Sequence, residues 1–313
     1  MRKTTILSAF VALLFSLCAS AQETYRFAER DTCALYLDIF RPDSSAQTTF
    51  KGAAKPAILF VFGGGFISGS RSDEGVRGWF HRLNANGYTV VAIDYRLGMK
   101  GYKMGKGLRG AVKALNRFVL SQQLGVEDVF SAVSFLAAHP ELNVPADNIV
   151  ISGSSAGAII SLACAHAIAN GQTEGLPAGF TFKGVMSFAG GIISKDGAPK
   201  FKNAPCPLLL FHGTSDKIVA YKHYGLGGRG LWGSSYIASH MEDQDGYNYS
   251  IWRVKDRAHE VASYMAEMWY VEKAFLEKNV MQGIPCQVDA MVDDPSLPTW
   301  KSWGKTKTAD LYQ

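Results

Sequence analysis

Gly153, Ser154, Ser155, Ala156 and Gly157 have the types and spacing of an activated serine nucleophile. The pattern demands a turn so sharp that the central serine is held in strained geometry with its hydroxyl presented, and only residues without bulk fit on either side. Ser155 occupies the central position, an apolar run from Ile149 to Ile151 precedes it, and a stretch of small residues follows. A serine hydroxyl is a weak nucleophile unless a base takes its proton and a third group holds that base in the right tautomer. Downstream, the apolar run Pro207 to Phe211 leads into His212, Gly213, Thr214, Ser215 and Asp216, which makes Asp216 the candidate acid. A further run ending at Val254 leads to Asp256, Arg257, Ala258 and His259, which makes His259 the candidate base. His81, His139 and His166 lie upstream in helical patterns, and His212 is read as shaping the acid's loop. His223 and His240, with Asp243 and Asp245, are the weaker alternatives for base and acid. A neutral imidazole is required, so a rate carried by His259 is expected to fall below about pH 6.5.

Acyl transfer through a serine places negative charge on the substrate's carbonyl oxygen, which fixed N–H donors must meet. Gly63, Gly64 and Gly65, followed by Phe66, come directly after the run Ala57 to Phe62, and consecutive glycines let backbone N–H groups approach a ligand closely. The amide after the nucleophile, that of Ala156, is the second source of donors. No GK[ST] follows the glycines, so they do not form a phosphate-binding P-loop.

The elements that must position these groups alternate. Leu35, Leu37 and Ile39 interleave with Tyr36 and Asp38, the period of a half-buried strand, which Arg41 and Pro42 end. The runs 56–62, 89–93, 149–152, 185–188, 207–211 and 250–254 are continuous and apolar, as expected of strands covered on both faces. Helical patterns over 78–86, 128–138 and 156–169 separate several of them, and a long helix over 260–278 is expected after His259. This order predicts an α/β fold, a doubly wound and mostly parallel sheet with helices on both faces. The segments 97–123, rich in lysine and arginine without an acid, and 222–233, rich in glycine, follow the carboxyl ends of strands and are the candidate pocket-wall insertions. Phe66, Tyr221, Tyr224 and Trp232 are the candidate substrate-binding residues, with packing as the equal alternative for the aromatic group at 221–236. The segment from Gln287 to the end shows no clear periodicity and reads as a tail on the surface.

Arg2 and Lys3, the apolar run from Ile6 to Leu17 and the small residues Ala19, Ser20 and Ala21 form a signal-peptide pattern with cleavage expected after Ala21. The apolar run is too short to span a membrane, which takes about 20 residues. Periplasmic or secreted location, a single domain over 22–286 and a tail over 287–313 are the resulting expectations, with no integral membrane anchor. The formal net charge of +5 includes Arg2 and Lys3, and so mild a balance does not imply a nucleic-acid partner. Cys33, Cys164, Cys206 and Cys286 form no CxxC and join no closely spaced histidines, so zinc and thioredoxin-like chemistry are not expected. Their pairing stays open, with Cys164 read as a buried thiol; no metal or organic cofactor is called for, and the oligomeric state is not legible.

Taken together, 61–66, Asp94 to Leu97 (DYRL), 153–157, 212–216 and 258–260 resemble the bacterial α/β-hydrolases related to the hormone-sensitive-lipase-like esterases, acetyl and feruloyl esterases among them. The resemblance covers roughly 35–278. It implies the α/β-hydrolase fold, an oxyanion hole from Gly64, Gly65 and Ala156, and a structural role for Asp94 and Arg96. It also implies a short-acyl or hydroxycinnamoyl ester as substrate, small or carried on a glycan. The family's usual histidine before the three glycines is Phe62 here, which bears on how the loop is supported. The rival readings are a serine exopeptidase of the prolyl-oligopeptidase type, for whose accessory domain the chain has no room, and a non-catalytic glycan-binding homologue.

Overall fold

The protein is described by a computed structural model covering residues 22–242, 244–300, 302 and 304–312. The signal-peptide pattern at 1–21 and the alternative acid Asp243 lie outside the described residues. Fourteen strands and five α-helices are present among the described residues: β1 Glu23–Arg30, β2 Cys33–Phe40, β3 Thr49–Phe50, β4 Ala53–Ala54, β5 Ala57–Val61, α1 Glu74–Ala85, β6 Val90–Ile93, α2 Gly107–Ala138, β7 Ile149–Ser154, α3 Ala156–Ala169, β8 Gly184–Phe188, β9 Gly191–Ser194, β10 Leu208–Gly213, β11 His223–Leu226, β12 Arg229–Gly233, α4 Ser234–Ser239, β13 Tyr249–Val254, α5 Trp269–Ala274 and β14 Gln287–Val292. Nine strands form the main sheet in the order β1-β2-β6-β5-β7-β8-β10-β13-β14. Strands β1 and β2 run antiparallel to their neighbours, and the pairs from β6 through β14 are parallel.

The apolar runs at 57–61, 90–93 and 184–188 are buried along their whole length, because helices cover strands that have neighbours on both edges. Helices α2 and α3 approach closely at Gly125, where a Cβ would come within 2.5 Å of Ile160. Helix α1 meets α5 through Trp79, whose indole N–H donates to Glu272 at 2.7 Å.

Three expectations are corrected, and the candidate insertion at 222–233 takes a defined form. The basic segment 97–123 is mostly the first half of α2, a single helix of 32 residues; Gly110, close to the Gly105 backbone, and Gly125, close to the Ile160 side chain, do not break it. The segment 222–233 is a hairpin of β11 and β12 whose turn residues Gly227 and Gly228 both have positive φ, the two-residue form that matches strand twist. Strand β12 continues onto β9 to make a second, three-stranded sheet. The helix expected over 260–278 is instead a 3₁₀ turn at His259–Ser263, the short α5, and a π turn at Phe275–Val280. Finally, 287–292 is no surface wrap: it is β14, the parallel edge strand paired with β13, so the domain's sheet extends past 286. As an edge strand it has a neighbour on one side only, and its burial alternates instead of running apolar.

Glu272 is fully buried, and the second oxygen of its carboxylate has no partner among the described residues. Burial pushes this carboxyl well above its usual range, with the Trp79 bond and the Arg82 charge pulling partly back. A raised folded-state pKa means that the associated stability is complete below about pH 4.3, the ordinary glutamate value, and declines as pH rises toward the group's own pKa. Glu272→Gln keeps an acceptor for Trp79 and removes the titration. Its Tm relative to the parent is therefore expected to rise between pH 5 and pH 8, and parallel Tm curves would contradict this account.

Candidate active site

Strand β7 ends at Ser154, and Ser155 forms the turn into α3 with φ 51° and ψ −115°, a left-handed value that a serine holds only under strain. The flanking glycines are dictated by space. A Cβ on Gly153 would lie 2.3 Å from the Gly157 carbonyl oxygen, and one on Gly157 would lie 2.0 Å from that of Val61. The Ser155 N–H donates to Phe188 O at 2.9 Å, and the Ser154 hydroxyl donates to Ala262 O at 2.7 Å, so the turn is held from β8 and from the segment after His259.

Ser155 Oγ lies 2.7 Å from His259 Nε2, and His259 Nδ1 lies 2.7 Å from Asp216 Oδ2. With the Nδ1 proton donated to the carboxylate, Nε2 is the acceptor for the serine hydroxyl. Asp216 Oδ1 accepts from the N–H groups of Ile218 at 2.9 Å and Val219 at 3.1 Å, which fixes the carboxylate's plane. Burial alone would raise this carboxyl, but the facing His259 and His212 outweigh it and hold it below the ordinary carboxylate range. His212 is fully buried, donates from Nε2 to Val219 O at 2.9 Å, and has Nδ1 2.8 Å from Ser234 Oγ. It stands 3.4 Å from Asp216 Oδ2, beside the acid rather than in line with the serine. Among the alternatives, His223, His240 and Asp245 are exposed and in no contact with Ser155.

The glycine loop faces this centre. A Cβ on Gly63 would come within 3.3 Å of Ser155 Cβ, and Gly64, Gly65 and Phe66 have φ of 112°, 63° and 61° in succession. The N–H groups of Gly64 and Gly65 donate to no protein acceptor among the described residues. Ala156 opens α3, whose first turn has no side-chain cap, so its N–H lies at the positive end of the helix dipole. Phe62, standing where a histidine was expected, stacks on Tyr95 at 4.5 Å, while the Tyr95 hydroxyl donates to Phe62 O at 3.1 Å. Asp94 and Arg96 take structural partners: Asp94 accepts from Arg71 at 2.6 Å, and Arg96 pairs with the buried Asp128 at 2.9 Å.

Two substrate-contact candidates are corrected. Phe66 and Trp232 are 1% and 3% exposed, so neither ring offers a face to a ligand. The first packs edge-on to Tyr95, and the second packs beside Tyr236 within the small sheet. The Tyr221 hydroxyl accepts from Arg253, and its ring stands edge-on to His212. Tyr224, 72% exposed on the hairpin, remains available. A concavity of about 480 Å³ lined by Leu136, Pro140, Phe180 and Lys183 opens beside the residues that lead into β7 and β8, at the other end of the strands from Ser155. Among the described residues Cys33, Cys164, Cys206 and Cys286 are free thiols; burial pushes Cys164 up, and Cys206 up to about 12. Among the described residues no cluster of three or more His, Cys, Asp or Glu is arranged to hold a metal ion, and no helix is long and apolar enough to cross a membrane.

The sequence reading missed Tyr312. Its hydroxyl donates to Gly65 O at 2.6 Å from the far end of the chain, and no local pattern marks it.

The carboxylesterase family model matches residues 16–194, more than half of the chain, and the chain belongs to that family. The match spans the glycine loop and the serine turn but ends before Asp216 and His259, whose assignment rests on the geometry above. The chain is 34% identical over 138 residues to the neuroligin-like protein glit-1 of Caenorhabditis elegans, covering 43% of this chain and 16% of that one. It is 29% identical over 135 residues to secreted lipase 5 of Gibberella zeae, covering 42% of this chain and 24% of the relative. With carboxylesterase patB of Aspergillus clavatus it shares 25% over 130 residues, covering 39% and 22%. The chain thus spans about a quarter or less of the length of these curated relatives. Propionate-bound esterase 2 of Thermogutta terrifontis superposes with a TM-score of 0.57 at 20% identity, covering 85% of this chain and 96% of that one. The fold is that of the α/β-hydrolases.

Proposed function

We propose that the protein is a serine carboxylesterase that cleaves its ester through an acyl-enzyme on Ser155. The observation that carries this reading is the pair of 2.7 Å contacts linking Ser155, His259 and Asp216 beside a loop of free N–H donors. His259 takes the serine proton as the hydroxyl attacks the ester carbonyl. The oxyanion is met by the Gly64, Gly65 and Ala156 amides, and the imidazolium returns its proton to the leaving alcohol. Water then repeats the cycle on the acyl-enzyme.

The finer reading is a short-acyl or hydroxycinnamoyl ester on a small molecule or saccharide, acted on in the periplasm or outside the cell. It is supported by the motif resemblance, by the leader pattern at 1–21, and by Tyr224, which keeps an open aromatic face. It places the chain nearer the hormone-sensitive-lipase-like and carbohydrate esterases than the long-chain lipases. A matched panel tests it: nitrophenyl acetate, a longer nitrophenyl acyl ester, methyl ferulate, acetylated xylan and a prolyl-nitroanilide. Turnover of the first, third and fourth is expected; release from the anilide alone would indicate a peptidase instead. Asp216 is held below the ordinary carboxylate range and so adds no ionisation to the acid limb of the pH–rate profile, while the need for a neutral imidazole makes the rate fall as pH drops. A flat acid limb would remove His259 from the role of base.

A further inference from the structure

The C-terminal segment after β14 touches each loop of the site in turn. The Arg257 guanidinium donates to the carbonyls of Asp294 at 3.1 Å and Leu297 at 3.1 Å, two residues before His259. The Tyr264 hydroxyl donates to Pro298 O. The Thr308 hydroxyl donates to Ile218 O at 2.6 Å, two residues after Asp216. The path ends with Tyr312, 6% exposed, its ring edge-on to Phe118 of α2 at 5.0 Å and its hydroxyl on Gly65 O.

We propose that Tyr312 is a positioning residue of the oxyanion loop; the proposal rests on the ester-hydrolysis reading above. In a trans peptide the C=O and the following N–H point in opposite directions, so holding one aims the other. Gly64 O accepts from the N–H groups of Ile67 at 3.0 Å and Ser68 at 3.2 Å, and Phe66 O accepts from that of Met99 at 3.0 Å. Both are backbone anchors. Between them, Gly65 O is held by a side chain, the Tyr312 hydroxyl at 2.6 Å. This middle peptide is the one most prone to turn over: Gly65 has no Cβ to resist rotation, and a half-turn would return Phe66 from φ 61° to an unstrained negative value. The phenol opposes that turn: it fixes the Gly65 carbonyl and the Phe66 N–H of the same peptide, and so steadies the loop on which the Gly64 and Gly65 donors sit.

The test is Tyr312→Phe, which keeps the ring on Phe118 and removes only the O–H. Loss of one oxyanion donor costs about 10²–10³ in kcat, and loosening the loop that carries two is expected to cost about tenfold, with KM unchanged. Affinity for a phenylboronic acid, which forms a tetrahedral adduct on the serine, is expected to fall by the same factor. Hydrogen exchange is expected to quicken in the peptide spanning Gly63 to Ser68 and nowhere else, with Tm unmoved. Parental kcat, boronate affinity and exchange in the variant would overturn the proposal, as would a loss explained wholly by a lower Tm. If the parent protein itself hydrolyses no ester, the esterase reading fails, and the boronate and exchange measurements still decide whether Tyr312 holds the loop.

Discussion

Ser155→Ala is expected to lower kcat by on the order of 10⁵–10⁶-fold, the scale seen when the nucleophile of a serine triad is removed. The side chain's one hydrogen bond is to His259, and the turn is held by backbone and glycine geometry, so the variant should fold as the parent does. No neighbouring hydroxyl can substitute. The Ser154 hydroxyl is tied to Ala262 O at 2.7 Å, and Ser152 is fully buried in β7. The comparison is steady-state turnover of nitrophenyl acetate by parent and variant, alongside Tm. Substantial residual turnover in a cleanly folded variant would mean that the serine hydroxyl is not the attacking group, and the acyl-enzyme mechanism would fall with it.

Asp216→Asn is expected to cost about 10⁴ in kcat, the effect of putting the triad histidine in the wrong tautomer. The asparagine oxygen can still accept from the N–H groups of Ile218 and Val219. That leaves its NH₂ facing His259 Nδ1, which must then become an acceptor. The ring proton moves to Nε2, where it meets the serine hydroxyl and can no longer take its proton. Because the change is isosteric and the loop bonds persist, KM and Tm should move little. A loss of less than about tenfold, far short of the tautomer effect, would show that Asp216 does not orient the base.

How much of this was legible follows from where the determining contacts lie. The serine turn was legible because strand, glycines and small-residue helix sit within about twenty consecutive residues and exclude bulk by direct collision, as at Gly153 and Gly157. The parallel strands were legible because central strands are apolar on both faces. Strand β14 was not, since an edge strand's alternation is weak and its identity depends on pairing with β13. The full length of α2 was hidden by Gly110 and Gly125, residues whose usual meaning as breakers is reversed when another backbone or a side chain must come close. The helix expected after His259 breaks up because its residues serve other partners, with the Ala262 carbonyl taking the Ser154 hydroxyl.

By itself, then, the sequence determined the nucleophile's turn, the glycine loop and the order serine, acid, histidine, because each is encoded in short runs whose sterics are local. Tertiary structure alone decided the rest. It buried Phe66 and Trp232, which composition offered as ligand contacts. It also carried Tyr312 across 247 positions to the Gly65 carbonyl. Burial and long-range hydrogen bonds depend on which surfaces meet, and no window of neighbouring residues records that.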